Sequence, residues 1–150
     1  MEIKTEAIVL QTLDYKDNDK LLTLFSPTLG KITAGIKGVK KPTAKLAFAA
    51  QPFCFSEYVL AEKGGRYTVT GAYLHESFFD LRADLARTAL ASYVCEVAGD
   101  VVEENAPEPE MLSLTLNTLF AIASGAYSLS LVKAAFELRA ASVLGFRPMT

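Results

Sequence analysis

Six lysines stand between positions 20 and 45, and no carboxylate interrupts them before Glu57, in a 150-residue chain of net charge −2. Five of them, Lys31, Lys37, Lys40, Lys41 and Lys45, fall within GKITAGIKGVKKPTAK. Ammonium groups crowded in this way repel one another, and the block itself holds no carboxylate to offset them. Phosphate is a natural external partner, because lysines that neutralise it release its condensed counterions. Such contacts position a nucleic acid without reading its sequence. The competing reading is a solvated edge, and the charge pattern alone leaves both open. Tyr15, Phe53 and Phe55 could stack on bases, although most Phe and Tyr are expected in the core.

No other residue set supports an active site. His75 is the sole histidine and sits in a strand pattern beside Glu76, where a solvated or satisfied imidazole is the simpler reading. Cys54 and Cys95 with one histidine cannot make a four-ligand zinc site, and two buried thiols are expected. GIKG is too short to grip a phosphate as a glycine loop. DYKDND lacks the downstream glycine and glutamate of a calcium loop and reads as turn chemistry. Neither a cofactor nor enzymatic turnover is expected.

A second constellation is Lys133, Phe136 and Arg139, spaced three apart on a helical pattern. A cation–aromatic–cation series in an otherwise acidic segment suits an acidic, apolar peptide tail. Phe136 also keeps helical spacing with Val132 and Val143, which reads as core.

The elements that must position these groups follow from two hydrophobic periods. Up to about residue 77 the pattern is that of strands. IKTEAIVLQTLDY and DKLLTLFS are separated by a YKDND turn. SPTLGK turns the chain into KITAGIK, where Ile32, Ala34 and Ile36 alternate with Lys31, Thr33 and Lys37. QPFCFSEYVLAEK and RYTVTGAYLHE pair across KGG, with Tyr67, Val69 and Tyr73 alternating with Arg66, Thr68 and Thr70. Five strands with hairpin turns and one irregular connection at 38–50 predict a small closed barrel, most economically an OB-fold.

After Phe79 the period becomes helical. Leu85, Ala89, Tyr93, Val97 and Val101 share one face of a first helix. Pro107 and Pro109 break it, a second helix follows at roughly 110–124, and a third runs from about Ser130 to Leu144. Gly145 and Pro148 supply the stop. The expected class is α+β: a five-stranded OB-fold over 1–79 and an all-α domain over 80–150. All three helices are strongly apolar, so this bundle looks incomplete and is expected to expose an apolar face that drives self-association.

Bulk composition agrees. An apolar content of 51% with 21% charged residues belongs to a globular chain. The longest uncharged apolar runs fall short of the ~20 residues of a membrane span. MEIKTEAIVL carries acids and no cleavage-like signal, so a cytoplasmic location is expected. Residues 1–80 hold ten basic and nine acidic side chains, against five and eight in 81–150. That asymmetry suggests two modules with different partners.

In their order, these motifs resemble the family of the bacterial recombination mediator RecO. The likeness rests on EAIVLQTLDYKDNDKLLTLFSPTLGKITAGIKGVKK, on AAQPF at 49–53, on SYVCEV, and on FELRAASVLGFRP at 136–148, and it spans nearly the whole chain. Thr43 stands where the family usually has Ser. The resemblance implies an N-terminal OB-fold joined to a helical domain. It also implies binding and annealing of single- and double-stranded DNA without turnover. Implied partners are RecR and the C-terminal tail of single-stranded-DNA-binding protein (SSB), with a functional link to RecA loading at the nucleoid. Many relatives continue into a Cys-x-x-Cys zinc module, so any zinc would lie beyond residue 150, and truncation would account for the short bundle. Two other readings remain: an RNA-binding OB protein, and a protein-interaction scaffold whose lysines meet an acidic partner.

Overall fold

A computed structural model describes residues 1–145. Five strands, β1 (Glu2–Tyr15), β2 (Asp19–Ser26), β3 (Gly30–Ile36), β4 (Phe55–Lys63) and β5 (Arg66–Glu76), close into a barrel in the order β1-β2-β3-β5-β4. All neighbours are antiparallel except β3 and β5, which meet in parallel at Ala34–Tyr67 and Gly35–Thr68. This is the strand order of an OB-fold. The interior is filled by Ala7, Val9, Leu22, Leu24, Ile32, Ala34, Ile36, Tyr58 and Leu60, as the alternation within each strand requires. Tyr58 donates its hydroxyl to the carbonyl of Ala49, 2.7 Å away, in the 3-10 turn Ala47–Ala50 that plugs one end.

The continuous apolar run AIVL in β1 is buried on both faces. Ala7 and Val9 point into the barrel, while Ile8 and Leu10 join Phe25 and Phe53 against the helices. Leu10 is an extra residue in the ladder, between the pairs Val9–Leu24 and Gln11–Thr23. The two halves therefore share a core at their junction, a closer union than the charge asymmetry suggested.

After a 3-10 turn at Phe79–Ala83 come α1 (Leu85–Val101), α2 (Pro109–Ser124) and α3 (Leu129–Val143). Asp84 caps α1 by accepting the N–H groups of Ala86 and Arg87, and Ser128 caps α3 by accepting that of Leu131. Pro109 occupies the first turn of α2, where its missing N–H costs nothing. Gly145 follows α3 as expected; Pro148, the other half of that stop signal, lies outside the described residues.

Two faces differ from the sequence expectation. The buried side of α1 is Leu90, Ala91, Val94, Cys95 and Ala98, whereas Leu85 is 87% exposed and Ala89 and Val101 also face outward. Two adjacent stripes of this helix are apolar, so periodicity could not choose between them; Tyr93 and Val97 of the expected stripe still pack, half-buried, at the margin of the core. Tyr73 does not continue the inward row of Tyr67 and Val69 but is 64% exposed. Thr70 is a bulge, lying between the pairs Val59–Gly71 and Leu60–Val69, and beyond it Ala72 turns inward instead.

Candidate nucleic-acid interface

The barrel order brings three separated segments to one rim: the β1–β2 turn, the chain leaving β3, and the β4–β5 turn. Between them runs a hollow of about 470 Å³ floored by Leu21, Thr33 and Gly35. Lys16, Lys20, Lys37 and Arg66 border it, together with Tyr15 and Tyr67. A second hollow of about 510 Å³, bordered by Lys16, Lys37 and Lys41, continues from it around the β1–β2 turn. Tyr15 is 44% exposed, and Lys16 Nζ stands 5.2 Å from its ring centre. Cations beside a stackable ring can hold a phosphodiester backbone and one unstacked base.

The expected lysines divide. Lys37 and Lys41 are exposed on this rim. Lys40 is exposed beside them but pairs with Asp14 at 3.4 Å, so the β1–β2 hairpin supplies an offsetting carboxylate that the lysine block itself lacks. Lys45 is exposed in the loop and borders neither hollow. Lys31 shares this outward face but stands at the other end of β3: its Nζ donates to the carbonyl of Gly99 in the last turn of α1, 2.6 Å away. Lys31 thus caps a helix C-terminus, where positive charge is favoured.

Lys16, Lys20, Arg66 and Tyr67 were missed in the sequence. The hairpin turns were legible, but only the non-sequential β3–β5 contact brings Arg66 to the same hollow as Lys37. Of the aromatic candidates, Phe53 is 4% exposed and packs between barrel and helices. Its left-handed backbone (φ 71°) and the bond from its N–H to the Val9 carbonyl place it there, so it cannot stack on a base. Phe55 is half-buried against His75, ring centres 5.3 Å apart, and His75 Nε2 lies 3.1 Å from Glu6.

In the helical half, Lys133, Phe136 and Arg139 do not form one surface. Phe136 is 1% exposed and belongs to the core. Lys133 leans over Tyr93 of α1, 5.2 Å from the ring centre, and pairs with Glu137 at 3.6 Å. Arg139 borders an apolar groove of about 840 Å³ between α2 and α3, with Leu114, Ala121, Tyr127, Leu131 and Ala135, and Phe136 also lines it, whereas Lys133 does not. Both cysteines are free and buried. Burial pushes the Cys95 thiol up to about 12. No cluster of three or more metal-ligating side chains occurs among the described residues, and none of their helices is long and apolar enough to cross a membrane.

The barrel order, with a cationic rim framed by its turns, defines the class: an OB-fold protein with a helical extension. Residues 1–78 match the family described as "Recombination protein O N terminal", and residues 82–150 that described as "Recombination protein O C terminal". The chain belongs to the RecO family. It is 35% identical over 146 residues to the DNA repair protein RecO of Acetivibrio thermocellus, covering 97% of this chain and 58% of that one. The namesake from Pelotomaculum thermopropionicum is 37% identical over 97% of this chain and 56% of its own length. That from Alkaliphilus metalliredigens is 33% identical over 99% and 60% respectively. The chain thus spans somewhat more than half the length of these curated relatives.

Proposed function

We propose that this chain serves DNA repair and recombination as a non-catalytic accessory protein, holding the DNA backbone on the rim framed by the β1–β2 and β4–β5 turns. One observation carries the reading: Lys16, Lys20, Lys37 and Arg66, from separate segments, converge on a hollow that also presents Tyr15 and Tyr67. Lys41 extends the track, Lys45 adds long-range charge, Lys40 is offset by Asp14, and Lys31 is left to its helix cap. The name shared by the relatives, DNA repair protein RecO, supports the biological setting. In this reading the protein binds single and double strands and anneals complementary ones. Through its helical part it takes the SSB tail and RecR, and so aids RecA loading at the nucleoid in the cytoplasm. The tail's apolar residues would enter the α2–α3 groove, with Arg139 meeting its carboxylates.

The deciding experiment is a salt titration of single-stranded DNA binding, with three to five phosphates engaged. The slope of log K against log salt should be about −2 to −3.5, at roughly −0.7 per contact. Reversing Lys37, Lys41 and Arg66 to Glu should flatten that slope and weaken binding to every sequence alike. Unchanged binding at ~50 mM salt, where screening is weakest, would remove the mechanism. Stronger competition by structured RNA than by DNA would instead make the protein an RNA binder.

A further inference from the structure

Asp19 sits inside this cationic rim with a charge of the wrong sign for a phosphate track. It opens β2 directly after the turn, is partly buried, and borders both hollows. Among the described residues it forms no ion pair. Its Oδ1 accepts the backbone N–H of Gly38 at 2.9 Å. Next to it, the carbonyl of Asn18 accepts the N–H of Lys40 at 3.1 Å, and Asp14 meets the Lys40 ammonium. These three attachments tie the start of the 37–46 loop to the β1–β2 turn. Gly38 has φ +71°, a left-handed conformation that reverses the chain there, and Lys37 and Lys41 come to border the same hollow.

We propose that Asp19 is a positioning residue for DNA binding: its carboxylate holds the Gly38 amide so that Lys37 and Lys41 are presented together before DNA arrives. The inference rests on the DNA-binding reading above. Electrostatics alone assigns Asp19 the opposite effect, because a carboxylate among phosphate-binding cations lowers affinity. Preorganisation opposes that sign, since a loop freed from its anchor must be ordered at the moment of binding. Asparagine keeps the acceptor and removes the charge, whereas alanine removes both.

The test measures anisotropy of a labelled oligothymidylate with the full chain, for the parent, Asp19→Asn and Asp19→Ala. Asp19→Asn should bind as the parent does or up to about twofold tighter, from the lost repulsion. Asp19→Ala should bind about three- to tenfold more weakly, from loop ordering. Equal affinity of the two variants, or tighter binding by both, would overturn the proposal. Amide hydrogen exchange over residues 37–46, read without DNA and against the β-strands, gives a second measurement that survives any general loss of stability. Selective acceleration in Asp19→Ala, and not in Asp19→Asn, is expected; unchanged exchange would sink the positioning role. If the charge-reversed variant described above still binds DNA, the functional reading fails, while the exchange result still decides whether Asp19 holds the loop.

Discussion

Lys31 of β3 and Gly99 of α1 are joined by a 2.6 Å hydrogen bond from the ammonium to the helix carbonyl. The same strand residue accepts the N–H of Asn105 on its own carbonyl at 2.9 Å, so the α1–α2 connection runs along the barrel edge. Gly30, one residue earlier, has φ +76°, and a Cβ there would stand 2.5 Å from the Ala106 backbone. A lysine that sequence spacing assigns to phosphate is thereby committed to holding barrel and helices together.

Lys31→Ala should therefore destabilise the protein and leave DNA affinity within about twofold. A hydrogen bond from a charged group contributes about 1.5–3 kcal/mol, with the lower end expected at this partly exposed site. Urea unfolding and a salt titration on one preparation separate the two effects. A flattened salt slope with unchanged stability would return Lys31 to the DNA track.

Tyr15→Ala should weaken binding of single-stranded DNA by about 1 kcal/mol, the lower range for base–aromatic stacking. Duplex binding should change far less, because paired bases stay stacked. An equal loss on both substrates would make Tyr15 a support for Lys16 instead of a base platform.

Barrel and helices should unfold in one transition. Ile8, Leu10, Phe25 and Phe53 are at most 9% exposed because the helices cover them. Far-ultraviolet circular dichroism and tyrosine fluorescence should give coincident melting curves. A fragment of residues 1–79 should bind a hydrophobic dye and aggregate, since it uncovers that face. Two separated transitions would show that the junction is not cooperative.

The Tyr93 hydroxyl donates to Glu137 across α1 and α3. This bond, aided by Lys133, holds the Glu137 carboxyl below its ordinary value; the same contact raises the Tyr93 phenol. A carboxylate with a depressed folded pKa adds stability above its unfolded value, and that stability is lost as pH falls through the folded one. Tyr93→Phe should therefore be less stable than the parent at neutral pH. The difference should close as pH drops below the ordinary carboxylate range. A difference that persists in acid would assign the effect to packing.

Cys95 should resist thiol reagents in the folded state at pH 8, because burial pushes its thiol to about 12 and closes access. Disulfide-exchange labelling should count both thiols only after denaturation. Rapid labelling of the native protein would mean that the junction opens.

Much of this architecture was legible along the chain because it depends on neighbours in sequence. Alternation in β3, the turn residues of SPTLGK and KGG, and the helix stop at Gly145 are local signals, and each element formed where they predict it. Faces were less legible. In α1 two adjacent stripes are both apolar, and in β5 a single extra residue at Thr70 reverses which side chains point inward. Both outcomes depend on what packs opposite.

By itself, then, the sequence determined a cationic segment, five strands, three helices and the order in which they come. Only the tertiary structure decided which cations share a surface. Barrel closure sets β3 beside β5 and brings Arg66 to the hollow that Lys37 borders, although they stand 29 positions apart in the chain. Packing of the helices against the barrel likewise engages Lys31 at a helix end and covers Phe53. The physical reason is that charge and periodicity are properties of a segment, whereas a binding surface is made by segments that long-range packing brings together.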